Sequence, residues 1–474
     1  MHELCRKPAR EIVRLLKAGE VKPEELIDAA AARIAEVEPK VNALPTLCLD
    51  RARERAKRLP RKGEAASNPG WLGGLPVAIK DLNEVAGVRT TYGSPIFANH
   101  VPKTSDIMVE TLEARGALVI AKSNTPEFGA GANTFNEVFG KTLNPWNTAL
   151  TCGGSSGGAA VALATGEVWL ASGSDLGGSL RTPASFCNVV GLRPSPGRVA
   201  HGPKPHIFDS LSVDGPMGRD VRDTALFLDA MAGAHPKDPT ALEASAVSFQ
   251  AAIERARKPS RVGFSPDLGI VKVARDVRDV CAAAAARFQD LGTAVDESCP
   301  DFGNAREIFQ ILRAFKFAAD RTKLLKEHRD KLKPEVIWNI EQGHKLSALD
   351  IGRAEHMRGA LVQSMAAFFE THDVLLCPAA VVAPFDVNRR YIEEVEGHRF
   401  DNYIDWLLIT YAVTVTGCPA ISVPCGFTKD GKPVGLQIVG PPRGEAKLLG
   451  IAAQFEDMMG LAGKVPIDPR PGHA

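Results

Sequence analysis

The chain has 474 residues, with 57 lysines and arginines against 56 aspartates and glutamates, a formal charge of +1. That balance excludes a broad nucleic-acid footprint and a polybasic membrane patch, while 24% charged and 45% hydrophobic residues describe a globular protein whose core needs no disulfide staples. Nine scattered cysteines without a CxxC pair predict neither a disulfide framework nor a zinc ribbon, and Met1-His2-Glu3-Leu4-Cys5-Arg6-Lys7 lacks the apolar run of a signal peptide, so a cytoplasmic location is expected.

In chain order, helical spacing opens at residues 11–16, and a second helix starts at Pro23, with Glu24 and Glu25 in its first turn. Residues 60–69 are rich in proline, glycine and charge and read as a surface loop. Pro76-Val77-Ala78-Ile79-Lys80 is a short apolar run behind glycines, a buried strand closing on a lysine. A helix over 106–115 and a strand over 117–121 follow, and this alternation predicts an α/β fold with partly parallel strands. From Thr142 to Leu180 the only formal charges are Glu167 and Asp175. So apolar and glycine-rich a stretch is no solvated surface and implies close backbone approaches.

Helices are then expected over 221–232, 274–289, most of 307–369, and 445–458; strands over 261–264, 373–377, 420–423 and 434–439. The 21 uncharged residues 407–427 are long enough to span a bilayer. Pro419 and Pro424 would break a spanning helix, so a buried helix followed by a buried strand is expected, with no membrane span. With no repeat, low-complexity segment or clear linker, a single domain over 1–474 is expected.

Three motifs carry chemistry. Cys152-Gly153-Gly154-Ser155-Ser156-Gly157-Gly158 precedes a small-residue helix over 159–164. It lacks the lysine of a P-loop, and the near miss at Gly140-Lys141-Thr142 has Phe135 where the first glycine belongs. It satisfies the GxSxG of a nucleophile elbow, but Asn144-Pro145-Trp146-Asn147-Thr148 is not the strand an elbow needs. In Gly173-Ser174-Asp175-Leu176-Gly177-Gly178-Ser179-Leu180-Arg181, consecutive glycines before a serine let backbone N–H groups converge, as an oxyanion hole demands. Lys80 alone reads as a surface residue at a strand end. Its neighbour Asp81 points to the opposite face if the strand is regular.

Together these motifs, with Ser179 lying 24 residues after Ser155, resemble the amidase signature family. Ala121-Lys122-Ser123-Asn124-Thr125-Pro126-Glu127-Phe128-Gly129, Val190-Gly191-Leu192-Arg193-Pro194, Asp214-Gly215-Pro216-Met217 and Gly417-Cys418-Pro419-Ala420-Ile421-Ser422-Val423-Pro424 extend the resemblance over nearly the whole chain. It is strongest over a catalytic core at 73–222. The resemblance implies an α/β domain with a mixed, twisted central sheet covered by helices. It also implies a triad of Ser179 as nucleophile, Ser155 as bridging serine on a cis Gly154–Ser155 peptide, and Lys80 as base. The backbone N–H groups of Leu176, Gly177, Gly178 and Ser179 would form the oxyanion hole.

The residue types suit that chemistry. A serine hydroxyl attacks an amide poorly until its proton is removed, and no histidine sits in these motifs. A free lysine, with a pKa near 10.4, is about one part in a thousand neutral at pH 7.4; lowering it by about three units takes roughly 4 kcal/mol, which burial can supply. Ser156, Ser174, Asp175 and Arg181 could orient the triad or hold the glycine loops, and Arg181 could instead read a substrate carboxylate.

The substrate pocket is expected around Tyr92, Asn124, Thr125 and Phe128 and a more variable helical segment at 300–410, where Phe309, Phe315, Trp338 and Trp406 could face either core or substrate. No metal or organic cofactor is implied. The implied function is hydrolysis of a C–N bond in a small-molecule carboxamide; no nucleic-acid partner is expected, and a homodimer stays open. Open alternatives are the amide-cleaving component of a tRNA-dependent amidotransferase (its A chain), which usually shows Asp-Glu-Phe where this chain has Pro126-Glu127-Phe128, a binding protein retaining the fold, and a Ser–His–Asp hydrolase using Ser155.

Overall fold

The computed structural model describes residues 1–59 and 67–472; most of the loop expected at 60–69, residues 60–66, lies outside them. Eleven of the described strands form one mixed sheet. In chain order they are β1 (Thr46–Leu47), β2 (Pro76–Lys80), β3 (Leu118–Ser123), β4 (Leu170–Asp175), β5 (Val190–Arg193), β6 (Val213–Gly218), β7 (Arg261–Phe264), β8 (Ala294–Glu297), β9 (Val374–Pro378), β10 (Ala420–Phe427) and β11 (Pro433–Val439). They lie across the sheet as β1-β3-β2-β4-β6-β5-β10-β11-β9-β7-β8. β3, β2 and β4 are parallel, as are β9, β7 and β8; the middle of the sheet is antiparallel.

Every residue of β2 and β3 is buried, which is why both read as continuous apolar runs rather than alternating ones. Helices cover this sheet within one domain, as expected. The charge-rich stretch resolves into Ala305–His328, Pro334–Gly343 and Ala348–Phe369, divided where Pro334 restarts the helix and where Ser347 and Asp350 form a capping box. Residues 407–427 give a buried helix, Leu408–Val415, and then β10. No described helix is long and apolar enough to cross a membrane.

β5 and β6 were not expected as strands. Val-Gly-Leu-Arg and Val-Asp-Gly-Pro-Met-Gly carry glycine, proline and charge, all depleted in strands. They extend because each is held between antiparallel partners. The glycines have a second use: a Cβ at Gly191 or Gly215 would overlap the carbonyl of Leu180 or of Leu192.

Candidate active site

β2 and β4 run parallel, pairing Val77 with Leu170 and Ala78 with Ala171, so their carboxyl ends open at one edge of the sheet. Ligand sites of α/β sheets form there. Lys80 is the last residue of β2, and its N–H donates to Ser172 Oγ at 3.2 Å. Its side chain is fully buried, with Nζ 2.7 Å from Ser155 Oγ, 2.8 Å from Ser156 Oγ, 3.0 Å from Ser174 Oγ and 3.4 Å from Ser174 O. The Gly154–Ser155 peptide is cis. Burial pushes the Lys80 ammonium down to about 7, against the opposing pull of Asp175 and Asp214. Asp81 faces the other way, as strand alternation predicts: its carboxylate pairs with Lys122 at 3.1 Å and accepts from Thr91 Oγ1 at 2.5 Å.

Ser179 sits on the loop after β4, and a single buried carboxylate shapes that loop. Asp175 accepts the N–H groups of Gly178 at 2.9 Å and Leu180 at 3.1 Å, together with Arg181 Nη2 at 2.8 Å and Nε at 3.0 Å. Burial alone would raise the Asp175 carboxyl; Arg181 and Arg193 outweigh it and hold it well below the usual carboxylate range. The rest of the Arg181 fork donates to Thr410 O, Gln437 Oε1 and Thr414 Oγ1. Arg181 is therefore fully engaged inside the protein and is not the carboxylate reader.

The expected set of oxyanion donors needs one correction. Gly178 gives its N–H to Asp175, and its φ of +118° turns it toward Thr410, whose side chain a Cβ there would overlap. Leu176, Gly177 and Ser179 instead line the cleft, and among the described residues their N–H groups meet no acceptor. Three donors are available where four were expected.

The cleft over this loop has a volume of about 370 Å³, and both Ser155 and Ser179 reach it. Tyr92 and Phe128, expected at the pocket, line it too. Asn124 and Thr125 do not. Both are fully buried, because Asn124 is a structural clasp: its O accepts from Gly158 N, its N donates to Ala43 O, and its Nδ2 donates to Thr142 Oγ1. Asn136 Nδ2 donates to Thr125 O in the same knot.

The facing wall comes from the 300–410 segment. Phe309, Arg313, Lys316, Phe317, Asp320 and Arg321 of the Ala305–His328 helix line it, with Ile404 and Leu407; those spacings fall on one helical face. Phe309 stacks on Tyr411 with centroids 4.1 Å apart. Trp406 is core, and Phe315 and Trp338 face other hollows.

Sequence reasoning missed a polar rim of Asn83, Glu84, Asp106 and Asp214. Asn83 Nδ2 donates to Asp106 at 2.9 Å and Asp214 at 3.3 Å. Burial, then the neighbouring Asp214, pushes the Asp106 carboxyl up to about 7. Asn83 and Glu84 were findable by their closeness to Lys80. Asp214 stood in a quoted motif without a role.

Residues 25–449 match the Amidase family. An acylamidase of Rhodococcus erythropolis is 36% identical over 463 residues, covering 97% of each chain. The A chain of the glutamyl-tRNA(Gln) amidotransferase of Thermosynechococcus vestitus is 34% identical, over 94% of this chain and 97% of that one. Among solved structures, a bacterial aryl acylamidase of the amidase signature enzymes superposes with a TM-score of 0.88 at 27% identity, over 97% of this chain and 99% of that one.

Proposed function

The chain belongs to the amidase family and is a C–N amide hydrolase, and we propose that it cleaves small-molecule carboxamides through an acyl-enzyme on Ser179, with Lys80 as base and Ser155 as proton relay. The observation that carries this reading is the fully buried Lys80 side chain, whose Nζ lies 2.7 Å from the Oγ of Ser155, a residue that lines the same cleft as Ser179.

A neutral Lys80 accepts the Ser155 proton while Ser155 Oγ takes the proton of Ser179. Ser179 Oγ then forms a C–O bond to the amide carbon, and the oxygen gathers negative charge against the N–H groups of Leu176, Gly177 and Ser179. Collapse breaks the C–N bond, and the proton returns through Ser155 to the leaving amine. Water, deprotonated along the same relay, attacks the ester, releasing carboxylate and restoring the Ser179 hydroxyl. Ser156 and Ser174 hold Nζ in place throughout. Asp175 sets the loop's shape without touching the reacting atoms.

Phe128, Phe309, Phe317 and Leu407 suit an apolar acyl or aryl portion next to Ser179, which agrees with the acylamidase relatives. The chain is proposed to work in the cytoplasm without amidotransferase partner proteins, with a homodimer left open. The test is release of amine or ammonia from aliphatic, aryl and diacid amides, with intact-mass detection of an acylated enzyme. Ser179→Ala is expected to lower kcat by about 10⁴-fold or more and to abolish the acyl adduct; turnover surviving in it would sink the nucleophile assignment. Turnover only of glutamine, and only with added partner proteins, would favour the amidotransferase alternative.

A further inference from the structure

Six arginines are buried among the described residues, and five have acceptors that account for it. Arg33, Arg181, Arg193 and Arg198 each face a carboxylate, and Arg219 donates to the carbonyls of Cys5 and Lys7. Arg313 differs. It is 4% exposed, lines the cleft and donates to Asn339 Oδ1. Among the described residues, no carboxylate oxygen lies within 4.0 Å of its guanidinium. It lies over the ring of Phe317, 4.4 Å from the centroid, and 5.7 Å from that of Tyr403. Those contacts fix its position without neutralising it. Arg321 sits 4.7 Å from the centroid of the same Phe317 ring and adds a second positive charge. Its neighbour Asp320 is shared with Lys316 and His206. A buried cation in a low-dielectric site is costly unless a counter-ion meets it.

We propose that the substrate supplies this counter-ion: the amides hydrolysed here carry a carboxylate, and Arg313 reads it. The inference rests on the amidase reading above for which groups share the cleft. It also fixes a length. Phe309, one turn before Arg313, lies 3.1 Å from where a Cβ of Gly177 would stand, so that end of the helix adjoins the oxyanion donors. Four helical residues advance about 6 Å. The carboxylate therefore lies roughly 6–12 Å from the scissile carbonyl, about five to nine bonds along an extended chain.

The test uses matched amides. Suberic acid monoanilide against octananilide places the charge on the acyl side; N-benzoyl-6-aminohexanoate against N-benzoylhexylamine places it on the amine side. The wild-type enzyme is expected to prefer the carboxylate member of at least one pair by tenfold or more in kcat/KM, and the pair that shows it identifies the side. Arg313→Gln is expected to lose at least tenfold more on that substrate than on its neutral partner, chiefly through KM, with Arg313→Lys keeping part of the preference. No preference in the wild type, or equal losses on both members, overturns the proposal. The wild-type comparison stands whether or not Arg313→Gln folds.

Binding of suberate, followed by calorimetry, gives a readout independent of turnover. It should weaken tenfold or more in Arg313→Gln, and a wild-type enzyme that binds no suberate overturns the proposal. Suberate binding that persists with no amide turned over would support the anion site and fault the acyl-enzyme reading instead.

Discussion

The wall that carries Lys80, Ser155 and Ser179 has almost no room for a side chain to change. A Cβ at Gly158 would overlap the backbone of Asn124 and Ala43, one at Gly173 would stand 2.6 Å from Leu180 Cδ2, and one at Gly178 would overlap Thr410. Apart from Lys80, whose Nζ meets only serine oxygens, its buried charges are matched, Asp175 to Arg181 and Asp81 to Lys122. The opposite wall is one face of the Ala305–His328 helix, where side chains can be exchanged without moving the backbone. The contrast teaches that the groups proposed to break the bond are held by backbone, serine hydroxyls and buried ion pairs, whereas the groups proposed to choose the substrate are ordinary helical side chains. Damage to the first wall should appear in kcat or in stability, and damage to the second in KM.

The hardest break is Lys80→Met, expected to lower kcat by about 10³-fold or more, since a general base and the relay fail together. In the wild type, kcat should rise as pH passes through about 7 and level off above it, because the ammonium must lose its proton first. Stability carries the same signature. The folded-state value of about 7 lies below the unfolded value, so the unfolded chain binds the extra proton between them. Stability should therefore climb from pH 7 toward pH 10, by an amount on the order of 4 kcal/mol. Urea unfolding across that range should show a steeper climb in the wild type than in Lys80→Met, which keeps only the contributions of other buried lysines such as Lys122 and Lys333, also lowered by burial; a climb of equal size in both would refute the buried-ammonium account.

Asp175→Asn comes next. It leaves Arg181 and Arg193 without their carboxylate, and such losses cost about 3–5 kcal/mol, to be read as a lowered urea midpoint. Activity should fall with the loop's shape, since Gly178 and Leu180 lose the acceptor that holds their N–H groups. An unchanged midpoint would mean the loop is held by something else. The smallest effect is expected on the other wall. Phe309→Leu should change kcat/KM by about tenfold or less, mostly through KM, as hydrophobic pocket contacts generally do. A large loss in kcat alone would show that this helix takes part in the chemistry.

Much of the first wall was legible in the sequence, because its constraints are local. Glycine pairs beside serines, a lysine closing an apolar run and a charge-poor stretch all announce close approaches and buried polarity. Four strands of the carboxyl-terminal half, at Arg261, Val374, Ala420 and Pro433, lay within a residue or two of their expected starts for the same reason. What stayed hidden depended on which partner each group meets once the chain has folded, near or far. Gly178 looked like its neighbours until Asp175 took its N–H. Asn124 looked like a pocket residue until Gly158, Ala43 and Thr142 claimed it. Arg313 sits in an amphipathic helix like any surface arginine, and only the ring of Phe317 and the missing carboxylate set it apart.

The anchoring of Arg181 has a consequence for how the enzyme is made. Its guanidinium is completed by Thr410 and Gln437, which follow it by 229 and 256 residues. At about 5–20 residues per second, the ribosome adds Gln437 roughly 13–50 s after Arg181. Until then the loop carrying Ser179 lacks the acceptors that complete its anchor, so the nascent chain is expected to stay chemically silent through most of its synthesis and to gain its activity only with the carboxyl-terminal strands.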